Sequence, residues 1–274
     1  MSTTITKKKT LQKGKPDSDY LKRLKKNAEQ WTDDMTQVDF LKNKDNRMFT
    51  AASYQAAADE FMEWILKAHN LTVKDLPVTV GTSKLEYFDM AHKTDMERGW
   101  GFLAPPRVLP HYSPVFMSVN ARGRILGRVS VDGDIRIPRL THPRCQYPWM
   151  SYTFSEVLSL RPGVRAAKGN VLIGGLGMGW MVREVMRKKG VGNVTIVERC
   201  PHIAAFFGVP FIHEFGPRVR VVVDDAFDYA ERQGHMFDRI LMDIWHDYGN
   251  QDDPKWRKLV DKFEGTKTKL WQWA

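Results

Sequence analysis

The stretch VLIGGLGMG, Val171 to Gly179, is an apolar run that breaks into closely spaced glycines, and its reading decides the fold. Val171 to Ile173 has the uninterrupted apolar character of a strand buried on both faces. Behind the glycines, Met178, Met181, Val182, Val185 and Met186 recur at helical spacing, and Gly190 supplies a stop. Strand and helix then alternate to the C-terminus. NVTIVE (Asn193 to Glu198) reads as a strand, Pro201 to Phe207 as a helix, Arg218 to Val223 as a strand, Phe227 to Arg232 as a short helix and Phe237 to Ile244 as a strand. Asp253 caps and Pro254 opens a last helix, with Trp256, Leu259, Val260 and Phe263 on one face and Gly265 at its end; Lys269 to Trp273 supplies a fifth strand. Strands separated by helices pair in parallel through right-handed crossovers. Residues 149–274 are therefore expected to form a doubly wound, mostly parallel, Rossmann-like α/β sheet.

Upstream the pattern is different. Residues 1–26 carry nine lysines and arginines and almost no apolar residue before Tyr20, so they read as a disordered basic tail. Its leading reading is a solvated terminus that aids solubility, with an arm for nucleic acid as the alternative. Residues 27–148 read as a helical and β-hairpin region. Within it Ala57, Phe61, Trp64, Ile65 and Ala68 form one face of an amphipathic helix over residues 51–69, which needs the main domain as its partner. Between Val115 and Arg139, Asp132-Gly133 separates two alternating runs, a pattern that signals a hairpin.

Composition narrows the function classes. The chain has 274 residues, 42% hydrophobic and 27% charged, and no apolar run near the roughly 20 residues that span a bilayer. A soluble cytoplasmic protein is expected, with no membrane partner. Cys145 and Cys200 are far apart and belong to no CxxC or Cys/His cluster, so neither a disulfide framework nor a metal site is expected. The formal charge of +10 favours encounter with polyanions without defining a function.

In open α/β sheets a ligand sits beyond the carboxyl ends of the strands, where strand order reverses. The glycine loop lies there. Gly175, Gly177 and Gly179 occur as GxGxG, which lets main chain approach a ligand without Cβ interference. Neither register gives the GxGxxG of a nicotinamide dinucleotide site, and no Lys-Ser or Lys-Thr follows to make a P-loop. Glu198, at the end of the second strand, is placed to accept hydrogen bonds from both hydroxyls of a ribose. Asp225 ends the third strand in VVVDDAFDY, where an adenine contact and an N-cap of the next helix are equally open.

Taken in order, VLIGGLGMG, VTIVE, VVVDDAFDY and FDRILMDIWHD resemble the class I S-adenosylmethionine-dependent methyltransferases, and more narrowly their spermidine-synthase-like branch. MSYTFSEVLSLRP, ahead of the first strand, resembles uncharacterised methyltransferase-like proteins of bacteria and their phages. The resemblance implies S-adenosylmethionine as cofactor, held by the loop of Gly175, Gly177 and Gly179, by Glu198 on the ribose and by Asp225 on adenine. It implies a transfer centre after the fourth strand. There Asp243 is the candidate polar contact to the donor's amino group or the acceptor. His246 is the candidate general base, although this spacing also suits an exposed loop histidine. Two features depart from the family: DIWHD replaces the DSSDP-like stretch of polyamine synthases, and Met178 stands where their loop commonly has an acid. The sheet is also expected to be short at its C-terminal edge. Methyl transfer to an undetermined acceptor is the leading expectation; aminopropyl transfer and a non-catalytic nucleoside-binding protein are the alternatives.

Overall fold

A computed structural model describes residues 47–49, 51–90, 115–119, 125–131, 135–144, 149–245 and 253–273. The basic tail, His246 and Cys145 lie outside these residues. In chain order the N-terminal part contains β1 (Arg47–Phe49), α1 (Ala51–Lys67), β2 (Val78–Val80), β3 (Ser83–Met90), β4 (Val115–Val119), β5 (Ile125–Val131), β6 (Ile135–Thr141) and β7 (Met150–Ser151). The C-terminal part follows with α2 (Phe154–Ala166), β8 (Gly169–Gly174), α3 (Trp180–Met186), β9 (Val191–Glu198), α4 (Pro201–Phe215), β10 (Val219–Val223), α5 (Ala226–Gln233), β11 (Arg239–Met242), α6 (Pro254–Phe263) and β12 (Lys269–Gln272).

Apolar runs buried on both faces give the central strands β8 and β11 their strand form, while β10 lies at the sheet edge with Val223 exposed. Val171, Leu172, Ile173, Ile196, Ile240 and Leu241 are all fully enclosed. They build a five-stranded sheet in the order β10-β9-β8-β11-β12, with every neighbouring pair parallel. Order reverses between β9–β8 and β8–β11, so the carboxyl end of β8 opens on a crevice.

The N-terminal part is antiparallel apart from the β1–β5 pair, and it forms two small sheets, β1-β5-β4 and β2-β3-β6-β7. The expected hairpin across Asp132-Gly133 is not formed: β5 pairs with β4, and β6 pairs with β3 and β7. Among the described residues β5 and β6 belong to different sheets, and Asp132-Gly133 itself lies outside the described residues. The amphipathic helix does pack as its apolar face requires. Phe61 stacks on Tyr152 at 5.0 Å between centroids, and the Trp64 ring meets Phe211 edge-on at 4.8 Å. Arg183, on α3, is only 4% exposed; its guanidinium pairs with Glu60 at 2.7 Å and lies 4.7 Å over the Trp64 ring.

Two helix boundaries differ from the sequence expectation. Met178 lies in the loop and α3 begins at Trp180, because Gly177 and Gly179 hold positive φ angles of 60° and 90° that no helix turn accepts. Helix α4 runs twice as far as expected, through Gly208 and Pro210. A proline removes the N–H that would meet the carbonyl four residues earlier, here that of Phe206. His69, at the end of the N-terminal helix region, donates from Nε2 to that freed carbonyl at 2.8 Å and stacks on the Phe206 ring at 4.1 Å. Tertiary contact thus supplies what local sequence withholds. Among the described residues no helix is long and apolar enough to cross a membrane.

Candidate functional site

The parallel ladder continues one residue beyond each strand and aligns three chain positions across the crevice. Gly175 N donates to Val197 O at 2.9 Å, and Asp243 N donates to Gly174 O at 2.8 Å. Glu198, Gly175 and Asp243 therefore stand side by side at the ends of β9, β8 and β11. They open on a cavity of about 710 Å³, whose lining also includes Gly177, Asp225, Glu156, Lys255 and several aromatic side chains. That volume lies in the range of small-molecule sites.

Glu198 is 7% exposed and ties the loop to the strand end. Its Oε2 accepts from Leu176 N at 2.9 Å and its Oε1 accepts from Cys200 N at 2.8 Å. A carboxylate has about four acceptor sites, so each oxygen keeps one for a hydroxyl. Cys200 is a free thiol. Asp225 makes the N-cap that its sequence position allowed and also lines the cavity. Its Oδ1 caps α5, accepting from Phe227 N and Asp228 N at 3.0 and 3.2 Å, while Oδ2 lies 3.7 Å from Lys255 Nζ at the cavity.

The three glycines separate by role. At Gly175, with φ of 87°, an added Cβ would overlap the carbonyl oxygen of Asp243; the residue lets two strand ends close on each other. At Gly177 an added Cβ would make only ordinary contacts, with Met150 Sδ at 3.4 Å and Gly179 N at 4.0 Å, so this glycine leaves space on the cavity. Gly179 lies behind the residues that line the cavity. An added Cβ there would lie 2.6 Å from the Phe211 ring, so Gly179 permits helix packing instead.

Asp243 has few polar neighbours. Its carboxyl keeps some contact with the crevice, yet surrounding atoms crowd it; burial pushes it up to about 7, with the charge of Glu198 adding in the same direction. Glu156, which the sequence reading did not single out, behaves alike. Burial raises it to about 8, opposed by the Ser151 hydrogen bonds and reinforced by Asp243. Native carboxyls of this kind hold protons that the unfolded chain has already released, so stability falls as pH rises from about 4.5 to 8. Urea unfolding across that window should show the decline, and Glu156→Gln or Asp243→Asn should flatten it.

The chain resembles a polyamine aminopropyltransferase 1 from Streptomyces coelicolor, with 32% identity over 100 residues. The match takes in 34% of this chain and 19% of that protein's length. The fold itself is α/β, a five-stranded parallel sheet with antiparallel N-terminal strands. No protein-family model matches the chain. Among solved structures, spermidine synthase from Thermotoga maritima is 17% identical with a TM-score of 0.29, covering 53% of this chain and 56% of that one. A SAM-dependent methyltransferase from Agrobacterium tumefaciens is 16% identical with a TM-score of 0.28, covering 39% and 36%. Superpositions this weak carry no argument. Independently of these comparisons, the chain has five parallel strands, a glycine loop after β8, and carboxylates at the ends of β9 and β11. Its antiparallel N-terminal sheets complete the cavity wall by placing Trp149, Met150 and Ser151 there.

Proposed function

We propose that this cavity holds S-adenosylmethionine and that the protein transfers the donor's methyl group to an amine acceptor. The observation that carries the reading is Glu198: a buried carboxylate, fixed by two backbone amides, with acceptor capacity left on the cavity beside the open face of Gly177. A ribose diol fits that arrangement. Asp225 Oδ2 and Lys255 stand together at the same cavity and suit the polar edge of a base. The donor supplies a carbon already activated by a sulfonium. What remains for the protein is to align it with a nucleophile and to remove a proton. Asp243 stands between Glu198 and Glu156 in the lining and gives an ammonium group a carboxylate to approach.

Aminopropyl transfer from the decarboxylated donor is the second reading, and the same acids favour it. The overall charge of +10 does not extend to this end of the cavity, where Glu156, Glu198 and Asp243 gather. Such a lining disfavours a donor carboxylate and favours an amine. Products separate the two readings. The protein is incubated with each donor and with metabolite, protein or nucleic-acid fractions as acceptors. Methyl transfer releases S-adenosylhomocysteine, whereas aminopropyl transfer releases methylthioadenosine only from the decarboxylated donor. Absence of both products, with a folded protein, would contradict both readings.

A further inference from the structure

Glu156 is the third residue of α2, and Thr153 is its cap. A Thr-x-x-Glu pair at a helix start ordinarily closes a reciprocal capping box, with the glutamate on the cap's own N–H. Here only half of the box is made. Thr153 Oγ1 accepts from Glu156 N at 3.3 Å, but the carboxylate reaches beyond the cap, where its Oε2 accepts from Ser151 N at 2.9 Å and from Ser151 Oγ at 2.8 Å. Ser151 is itself fixed by strand pairing with Arg139. Oε1 takes no hydrogen bond from any described residue, and Glu156 lines the cavity with Asp243 and Glu198.

The charged groups around it come from separate elements. Asp243 ends β11 and interacts with Glu156, and Glu198 ends β9 and interacts with Asp243. The cavity's cations are Lys255 and Arg199. Lys255 lies 3.7 Å from Asp225 and 5.8 Å from the Phe227 ring centroid. Among the described residues no cation stands within ion-pairing distance of Glu156. A half-held carboxylate next to two others, without a counter-ion, is suited to an incoming positive charge.

We propose that Glu156 is the proton acceptor of the transfer step and that the charge of an incoming sulfonium draws it into its carboxylate form, any proton it holds passing to solvent. As a carboxylate it then takes a proton from the acceptor's ammonium nitrogen. The freed nitrogen lone pair forms the new N–C bond while the C–S bond breaks, and the electron pair of that bond stays on sulfur. The inference rests on the donor reading above. Burial supports it by holding the Glu156 carboxyl at about 8, closer to an amine than an ordinary carboxylate is.

Calorimetry in two buffers of different ionisation enthalpy measures the protons released on binding. It is run at pH 8, where Asp243, pushed only to about 7, is mostly ionised beforehand. S-adenosylmethionine is expected to release about half a proton more than its neutral thioether product, since a group at its own pKa is half protonated. Glu156→Gln should lose that difference while binding the thioether within about threefold of wild type, because the amide oxygen can still accept from Ser151. Ser151→Ala weakens the anchor but keeps the carboxylate, so it should retain the release. Proton release in Glu156→Gln equal to wild type would overturn the role of Glu156 and leave the donor reading standing. Failure of wild type to bind either compound would overturn both.

Discussion

Glu198→Gln is expected to weaken donor binding by at least about 100-fold. Charge-assisted hydrogen bonds are worth about 1.5–3 kcal/mol each, and the carboxylate has one acceptor position left on each oxygen for a hydroxyl. Losing a single bond near the top of that range already gives the factor. The substitution has a second consequence, because both oxygens already serve the fold: Oε2 receives Leu176 N and Oε1 receives Cys200 N. An amide NH₂ in either place sets donor against donor. Thermal unfolding should therefore shift downward, by a free energy of about 1–3 kcal/mol for one unsatisfied buried amide. Titration calorimetry and a melting curve on the same sample read both effects. A variant that binds the donor within threefold of wild type would show that the ribose lies elsewhere.

The glycine loop yields an equally large effect with the opposite emphasis. Gly175→Ala is expected to prevent stable folding, at a cost of about 3 kcal/mol or more, whereas Gly177→Ala should fold and lose affinity. At Gly175 the new Cβ meets the Asp243 carbonyl oxygen, which is rigid main chain held by the Asp243 N to Gly174 O bond. Relief would require parting β8 from β11. At Gly177 the φ of 60° is close to the ordinary left-handed region, where a side chain costs roughly 1–2 kcal/mol, and the new Cβ would make ordinary contacts, 3.4 Å from the flexible Met150 side chain and 4.0 Å from Gly179 N. The methyl group would instead occupy cavity space. Circular dichroism separates folded from unfolded variants, and calorimetry on Gly177→Ala reads the loss of affinity. A stable Gly175→Ala protein would refute the packing role assigned to that glycine.

The strand-helix alternation could be read from the sequence because parallel strands buried on both faces are apolar runs, as at Val171 to Ile173. Glu198 and Asp225 could be placed because they follow such runs directly. What failed were features decided by distant contacts. Pro210 looks like a helix end until His69 satisfies the carbonyl it frees. Asp132-Gly133 looks like a hairpin, but β5 and β6 are drawn to different sheets. Gly179 belongs to the same cluster as Gly177, yet its neighbour is Phe211, 32 positions further along the chain. Glu156 was hidden by its own local pattern. Thr153-x-x-Glu156 carries a sufficient local explanation as a helix start, and only the fold shows that the carboxylate continues to Ser151 and the cavity.

Net charge and local charge also differ. Charge is summed over the whole surface, whereas a site depends on the few groups that reach one crevice. The sequence is basic; the part of the cavity lined by Glu156, Glu198 and Asp243 is acidic. Its two raised carboxyls respond to burial and to each other, neither of which is visible in a list of residues.

A crystal structure grown with S-adenosylhomocysteine tests the central claim most directly. The ribose hydroxyls should lie within about 3 Å of the Glu198 carboxylate oxygens, the expected range for such bonds, with the sulfur beyond Gly177 towards Asp243 and Glu156. A nucleoside bound outside this cavity, or bound within it with the ribose turned away from Glu198, would contradict the account.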